Sequence, residues 1–86
     1  MNISVTSTAT LILADNPQRL SLIITNNGSS TVYIGQTNTV TSTTGVPLQA
    51  DSILTEDSGG TKMYCGPIWG ITDTGTADVR VWERIR

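Results

Sequence analysis

The chain has 86 residues, with seven acidic, five basic and no histidine side chains, and it makes one small domain with a formal net charge of −2. Without histidine, Ser-His-Asp and Cys-His catalysis cannot be built, and a single Cys65 rules out an internal disulfide and a Cys/His zinc cluster. The balance is too acidic for a phosphate-binding footprint, no run approaches the ~18 apolar residues of a membrane span, and Met1-Asn2-Ile3-Ser4 lacks the features of a signal peptide.

Charged residues make up only 14% of the chain, and threonine is the commonest residue. Thr is β-branched and suits a pleated, half-solvated surface, so the composition points to an all-β fold. A domain of this size buries only roughly 60–65% of the surface its unfolded chain exposes. Oligomerisation or docking on a larger body is therefore expected from size alone.

Residues 1–8 alternate Ile3 and Val5 with Asn2, Ser4 and Thr6, which predicts a first strand near a sheet edge. Residues 9–14 form a short second run with Leu11, Ile12 and Leu13, stopped by Asp15-Asn16-Pro17. Residues 19–35 read as a β-hairpin. Leu20, Leu22 and Ile24 alternate with polar neighbours, Val32 and Ile34 share a face, and Asn26-Asn27-Gly28-Ser29-Ser30 supplies the turn. Ile23 is an apolar exception on the polar side of the first arm. Residues 36–45, rich in Thr with only Val40 apolar, read as an exposed loop. That loop is either a solvated connection or a place for binding contacts.

Val46-Pro47-Leu48 reads as an edge or a strand entry, because Pro47 cannot donate to a ladder. Ile53 and Leu54 are the apolar pair of the next strand, followed by a turn at Glu56-Asp57-Ser58-Gly59-Gly60. Residues 61–65 read as a strand with Met63 and Cys65 on one face and Lys62 and Tyr64 on the other, broken by Gly66-Pro67. Residues 68–72 resume, with Trp69 assigned to core packing and Gly70 marking a bulge or a close backbone approach. After the turn at Asp73-Thr74-Gly75-Thr76, residues 77–86 show the clearest alternation. Val79, Val81 and Ile85 share a face that includes Glu83, and Asp78, Arg80, Trp82, Arg84 and Arg86 share the other. Seven to nine short strands with turn signals between them predict a small antiparallel β-sandwich of jelly-roll-like type, a single domain over 1–86 in which 1–15 is an N-terminal arm or edge strand.

Catalytic and cofactor motifs are missing. The glycines sit in turns, so no phosphate loop is present. Two carboxylate pairs, Glu56-Asp57 and Asp73 with Asp78, are disfavoured as glycosidase or calcium sites, because a chain this small rarely makes the cleft and no loop supplies six oxygens in sequence. Cys65 reads as a small apolar residue, with no histidine to activate it. The Asn2-Ile3-Ser4 and Asn27-Gly28-Ser29 sequons read as chance. The expectation is a non-enzyme with no cofactor and no metal. What remains is Trp82 between Arg80 and Arg84. A Trp among arginines is the composition of a protein–protein hot spot, and the competing reading closes one end of the core with Trp82.

The run Asn16-Pro17-Gln18-Arg19, then Leu22-Ile23-Ile24-Thr25-Asn26-Asn27-Gly28, Val32-Tyr33-Ile34-Gly35, Gly45-Val46-Pro47-Leu48 and Gly75-Thr76-Ala77-Asp78-Val79-Arg80-Val81 resembles small β-sandwich structural proteins of tailed bacteriophages. The resemblance covers most of the chain from Asn16 onward and carries no catalytic residue. It implies a virion component, a capsid decoration or cement subunit or a head-fibre module. It also implies a place on the capsid surface after synthesis in the host cytoplasm, a homo-oligomer with a trimer favoured, and the major capsid protein or another virion protein as partner. Neither nucleic acid nor membrane is an expected partner. The interface candidates are Ile3 and Val5, on an N-terminal segment that adds a strand to a neighbour, together with Arg80, Trp82 and Arg84. The alternative is a carbohydrate- or receptor-binding module of a fibre or spike, which would take a glycan.

Overall fold

The computed structural model describes residues 2–57 and 64–86. Its strands are β1 (Asn2–Val5), β2 (Thr10–Leu13), β3 (Arg19–Asn26), β4 (Val32–Gly35), β5 (Val46–Leu48), β6 (Ile53–Asp57), β7 (Ile68–Thr72) and β8 (Ala77–Ile85), with no helix among the described residues. They form two antiparallel four-stranded sheets, ordered β1-β8-β3-β6 and β2-β7-β4-β5. β1 pairs with β8, β2 with β7, β3 with β6 and β4 with β5, so the chain is one long hairpin rolled over on itself. The contacts β3·β8 and β4·β7 then complete each sheet. This strand order is a jelly roll of two Greek keys, and the fold is the all-β sandwich that the strand count and turn spacing predict.

The period of two decides which residues face inward. Val5, Leu22, Ile24, Ala77, Val79 and Val81 come from the first sheet and meet Ile12, Leu13, Val32, Leu48 and Ile68 from the second. Each Leu, Ile or Val buried in this way contributes about 1.5–3 kcal/mol relative to exposure. Gly70 belongs to this inner layer. A Cβ there would lie 2.6 Å from Ile12 Cδ1, so the close backbone approach expected of a mid-strand glycine is the reason for it.

The predicted hairpin over 19–35 is not formed. β3 lies in the first sheet and β4 in the second, and the five residues between them cross from one sheet to the other. Asn26 is the cause. It is fully buried, its Nδ2 donates to Ser30 O at 2.8 Å and Leu48 O at 2.9 Å, and its Oδ1 accepts the Gly28 N–H at 3.0 Å. Its backbone N–H donates to Ser52 O, and its carbonyl accepts from Asp51 N–H. The Asn-Gly pair therefore does not make the positive-φ hairpin turn. Among the described residues positive φ occurs at Asp51 and Gly75. Gly28 is glycine for a different reason, because a Cβ would sit 2.8 Å from Ala77 Cα.

The opposite end of β3 is tied by Arg19, whose side chain has no exposed surface. Nε donates to Glu83 Oε2 at 2.6 Å, Nη1 to the carbonyls of Tyr64 and Gly66 at 3.2 and 3.1 Å, and Nη2 to Ala14 O at 2.7 Å. One guanidinium thus joins the end of β2, the start of β3, the segment before β7 and the end of β8. The Asp15-Asn16-Pro17 stop forms as a turn, with Asn16 Oδ1 accepting the Gln18 N–H. The predicted strand over 61–65 lies mostly outside the described residues, and Tyr64 and Cys65 are not in a strand.

Removing one partner of a buried, hydrogen-bonded ion pair costs about 3–5 kcal/mol, because the other charge and the carbonyls lose their partner. Urea titration of Arg19→Met is expected to show a loss of that size. Glu83→Gln keeps an acceptor beside Nε and is expected to lose distinctly less. Equal stability of wild type and Arg19→Met would show that the guanidinium does not hold the end of the sandwich.

Candidate functional site

The alternation of β8 has a consequence beyond the core. With Ala77, Val79 and Val81 buried, Asp78, Arg80, Trp82 and Arg84 stand on the outer side of the first sheet. Trp82 is 61% exposed, which excludes the reading in which it closes the core. Opposite it in the β3 ladder is Ile23, the apolar exception of the sequence, and opposite Ile23 on the other side is Thr55 of β6. Directly opposed cross-strand residues stand about 4.5–5.5 Å apart at Cβ, so indole and isoleucine share one shallow surface. Arg84, Ser21 and Thr55 line the same groove, and Ile53 continues the exposed apolar surface along edge strand β6 at 63% exposure.

The two arginines beside Trp82 differ. Arg80 turns toward Asp78, with Nε and Nη2 both 3.3 Å from Oδ2. An exposed pair of this kind contributes little to stability. It does fix where the charge of Arg80 lies. Arg84 lines the groove with Trp82 and is opposite Ser21 in the ladder. The site is a sheet surface carrying one large aromatic, one aliphatic neighbour, two guanidinium groups and the carboxylate of Asp78, with Glu56 at the groove.

Of the five residues singled out from the sequence, Arg80, Trp82 and Arg84 are brought together on this face. Ile3 and Val5 are not. β1 is hydrogen-bonded to β8 of its own chain, Val5 is fully buried and Ile3 packs against the core. The correction has a simple cause. Ile3 is opposite Val79 and Val5 opposite Ala77, both on the inner side, so the apolar phase of β1 is the core phase. The N-terminal segment fills its own sheet edge and leaves Asn2 and Ser4 on the outer side.

A second face went unread in the sequence. Core packing is the expectation for Trp69, but Gly70 faces Ile12 and Val32, so Trp69 and Ile71 on either side of it lie on the outer side. Trp69 is opposite Leu11 on one side and Gly35 on the other, and Ile71 is opposite Tyr33, which is opposite Pro47. Leu11, Trp69, Ile71, Tyr33 and Pro47 therefore run across the outer side of the second sheet without a charged residue among them. The signal that could have revealed it was Gly70 itself, since a mid-strand glycine marks the side where another element presses close.

The Thr-rich loop over 36–45 is solvated except for Val40, which is buried against the Gly35 and Gly45 backbone. Its hydroxyls bond one another, Thr37 with Thr39 at 2.7 Å and Thr41 with Thr43 and Thr44 at 3.0 Å. The loop braces itself, which favours the reading as a solvated connection. Among the described residues no three of His, Cys, Asp and Glu gather where a metal ion could be held. Comparison with protein-family models, curated proteins and solved structures finds no match to this chain.

An exposed side chain on a formed sheet contributes to cross-strand packing by only about 0.2–1 kcal/mol. Trp82→Ala is therefore expected to move the folding free energy by about 1 kcal/mol or less. In a Trp69→Phe background, acrylamide is expected to quench the remaining Trp82 fluorescence nearly as well as free indole. Strong protection from quencher, or loss of the cooperative melt in Trp82→Ala, would return Trp82 to the core.

Proposed function

We propose that this chain is a non-enzymatic structural subunit that docks on a larger protein body through the outer face of the β1-β8-β3-β6 sheet. The observation that carries the reading is Trp82, 61% exposed beside Arg84 and Ile23 on a fully paired sheet. Exposing so large an aromatic on a rigid surface is the arrangement of a binding anchor, and Trp and Arg are the side chains most often found at hot spots. Strand pairing holds both residues in place before contact, so little ordering entropy opposes docking. The outward guanidinium groups of Arg80 and Arg84 suit a partner surface with carboxylates around an apolar pocket.

The resemblance to small β-sandwich virion proteins of tailed bacteriophages supports a capsid as that body. In this reading the chain is a decoration or cement subunit on the capsid surface, and the major capsid protein is its partner. Its contribution is mechanical, a rigid plug that joins neighbouring shell subunits through contacts on their outside. A second reading, a glycan-binding module, draws on a polar groove at one end of the sandwich. Ser29, Ser30, Thr31, Tyr33, Asp73 and Thr74 line it.

The test is reconstitution of the purified protein with undecorated capsids, run beside a glycan array. Docking is expected to saturate, and Trp82→Ala is expected to weaken it by tenfold or more, since a hot-spot truncation is worth about 2 kcal/mol or above. Arg84→Ala is expected to weaken it less and to flatten its dependence on salt. No capsid binding together with a specific glycan hit would replace the reading with the second one.

A further inference from the structure

The outer face of the β2-β7-β4-β5 sheet has no part in the docking just described, and we propose that it seats a second copy of this chain, face to face about a twofold axis. Three observations lead there.

The first is composition. Leu11 at 41% exposure, the partly exposed Trp69, Ile71 and Tyr33, and the exposed Pro47 form one band across all four strands of the sheet. None of these side chains belongs to the buried core cluster; Trp69, Ile71 and Tyr33 are half-buried on the outer side of the sheet, and Leu11 and Pro47 are exposed. Two aromatic rings near the centre of a patch are what a desolvated interface centre contains.

The second is charge. In an isologous contact every residue near the axis meets its own kind, so a charged face opposes itself. The opposite face carries Asp78, Arg80 and Arg84, whereas this band carries no ionisable group except the Tyr33 phenol. A band without charge can meet its own copy across a twofold axis with no like charges brought together.

The third is area. The molecule measures 37 × 24 × 17 Å, so a contact over its broad side covers at most about 900 Å² per copy, the product of the two longer extents. A standard specific interface takes about 800 Å² from each partner. The apolar centre is smaller. Four strands at about 4.8 Å spacing and four or five residues of length span roughly 300 Å². The polar threonine loop and the turn at Asp73-Thr74 form the rim. An interface of that size with a modest apolar centre suits an association in the micromolar range rather than a permanent one. Two sheets stacked about 10 Å apart also suit twofold rather than threefold symmetry, in contrast to the trimer that the virion resemblance implies.

The inference rests on the docking reading for its use and not for its evidence. A dimer joined through this face turns the two Trp82 surfaces in opposite directions. Such a pair bridges two bodies instead of binding one of them twice.

Sedimentation of the purified full chain, with no capsid present, reads the association separately from docking. Wild type is expected to pass from monomer to dimer between about 1 and 500 μM. Trp69→Arg and Leu11→Lys, on different strands of the face, are each expected to raise the dissociation constant tenfold or more. Ser7→Arg, an equal charge change on an exposed loop, is expected to leave it unchanged. Each variant is checked by its melting transition, and a variant that does not melt cooperatively is replaced by Pro47→Lys on the edge strand. In a Trp82→Phe background, the Trp69 emission is expected to shift to the blue over the same concentration range. A wild type that stays monomeric at 500 μM, or a dimer that both folded face variants leave intact, overturns the proposal. Capsid docking by a strictly monomeric protein would overturn it and leave the docking reading standing.

Discussion

The guanidinium of Arg19 is the interaction on which one end of this sandwich depends. A buried cation is tolerated only when its donors find acceptors, and the donors of Arg19 reach one carboxylate and three backbone carbonyls. Those carbonyls belong to segments outside the strands, the exit from β2 and the stretch before β7, where Tyr64 also packs against the core. Hydrophobic burial alone does not fix the course of such segments, because it has no direction. Charge-assisted hydrogen bonds do, since they demand both distance and angle. Asn26 has the matching role at the far end of the same strand, where it is fully buried and fixes the crossing to β4 and the entry to β6. β3 is thus an apolar central strand between two polar ties. Among the described residues no buried side-chain nitrogen or oxygen lacks a partner, which is the condition under which polar ties of this kind specify one arrangement.

With the interior settled in this way, the two outer surfaces are free to differ. A strand that places Val79 and Val81 inward must place Arg80 and Trp82 outward, and one that places Gly70 inward must place Trp69 and Ile71 outward. One tryptophan stands among charged neighbours and the other in a band without charge. A domain of this size has little room for a cleft, and its hydroxyl-rich loop is engaged with itself. Its broadest surfaces are the two outer sheet faces. Such faces on paired strands suit a partner that is equally rigid, which is why docking and self-association are the readings that fit.

Much of this was legible in the residues alone. Alternation in β8 put Val79 and Val81 on one face and Asp78, Arg80, Trp82 and Arg84 on the other, as the structure has them, but it left the core reading of Trp82 open and grouped the exposed Ile85 with the valines. Ile23 stood out as an apolar residue in a polar phase, and it lies beside Trp82. The failures share a cause. Asn26-Asn27-Gly28 has the local chemistry of a hairpin turn, but the side chain of Asn26 finds better partners in Ser30 and Leu48, and the latter is distant in sequence. Ile3 and Val5 have the look of a free edge strand, but β8 is already there to receive them. Trp69 reads as a core residue from the sequence, whereas the space behind β7 is already filled by Ile12.

The sequence by itself determined the class of fold, the positions of most strands, and the phase of those whose two sides differ sharply in polarity. It did so because a period of two is a local property, written in consecutive residues. Tertiary structure alone decided which strands pair, that residues 19–35 cross between sheets rather than turn back, and which side of β7 meets the core. Those outcomes depend on partners far away in the chain: Ala77 against Gly28, Ile12 against Gly70, and Glu83 against Arg19. Of the two surfaces proposed for recognition, one followed from local alternation, and the other emerged only once a distant isoleucine had claimed the space behind a glycine.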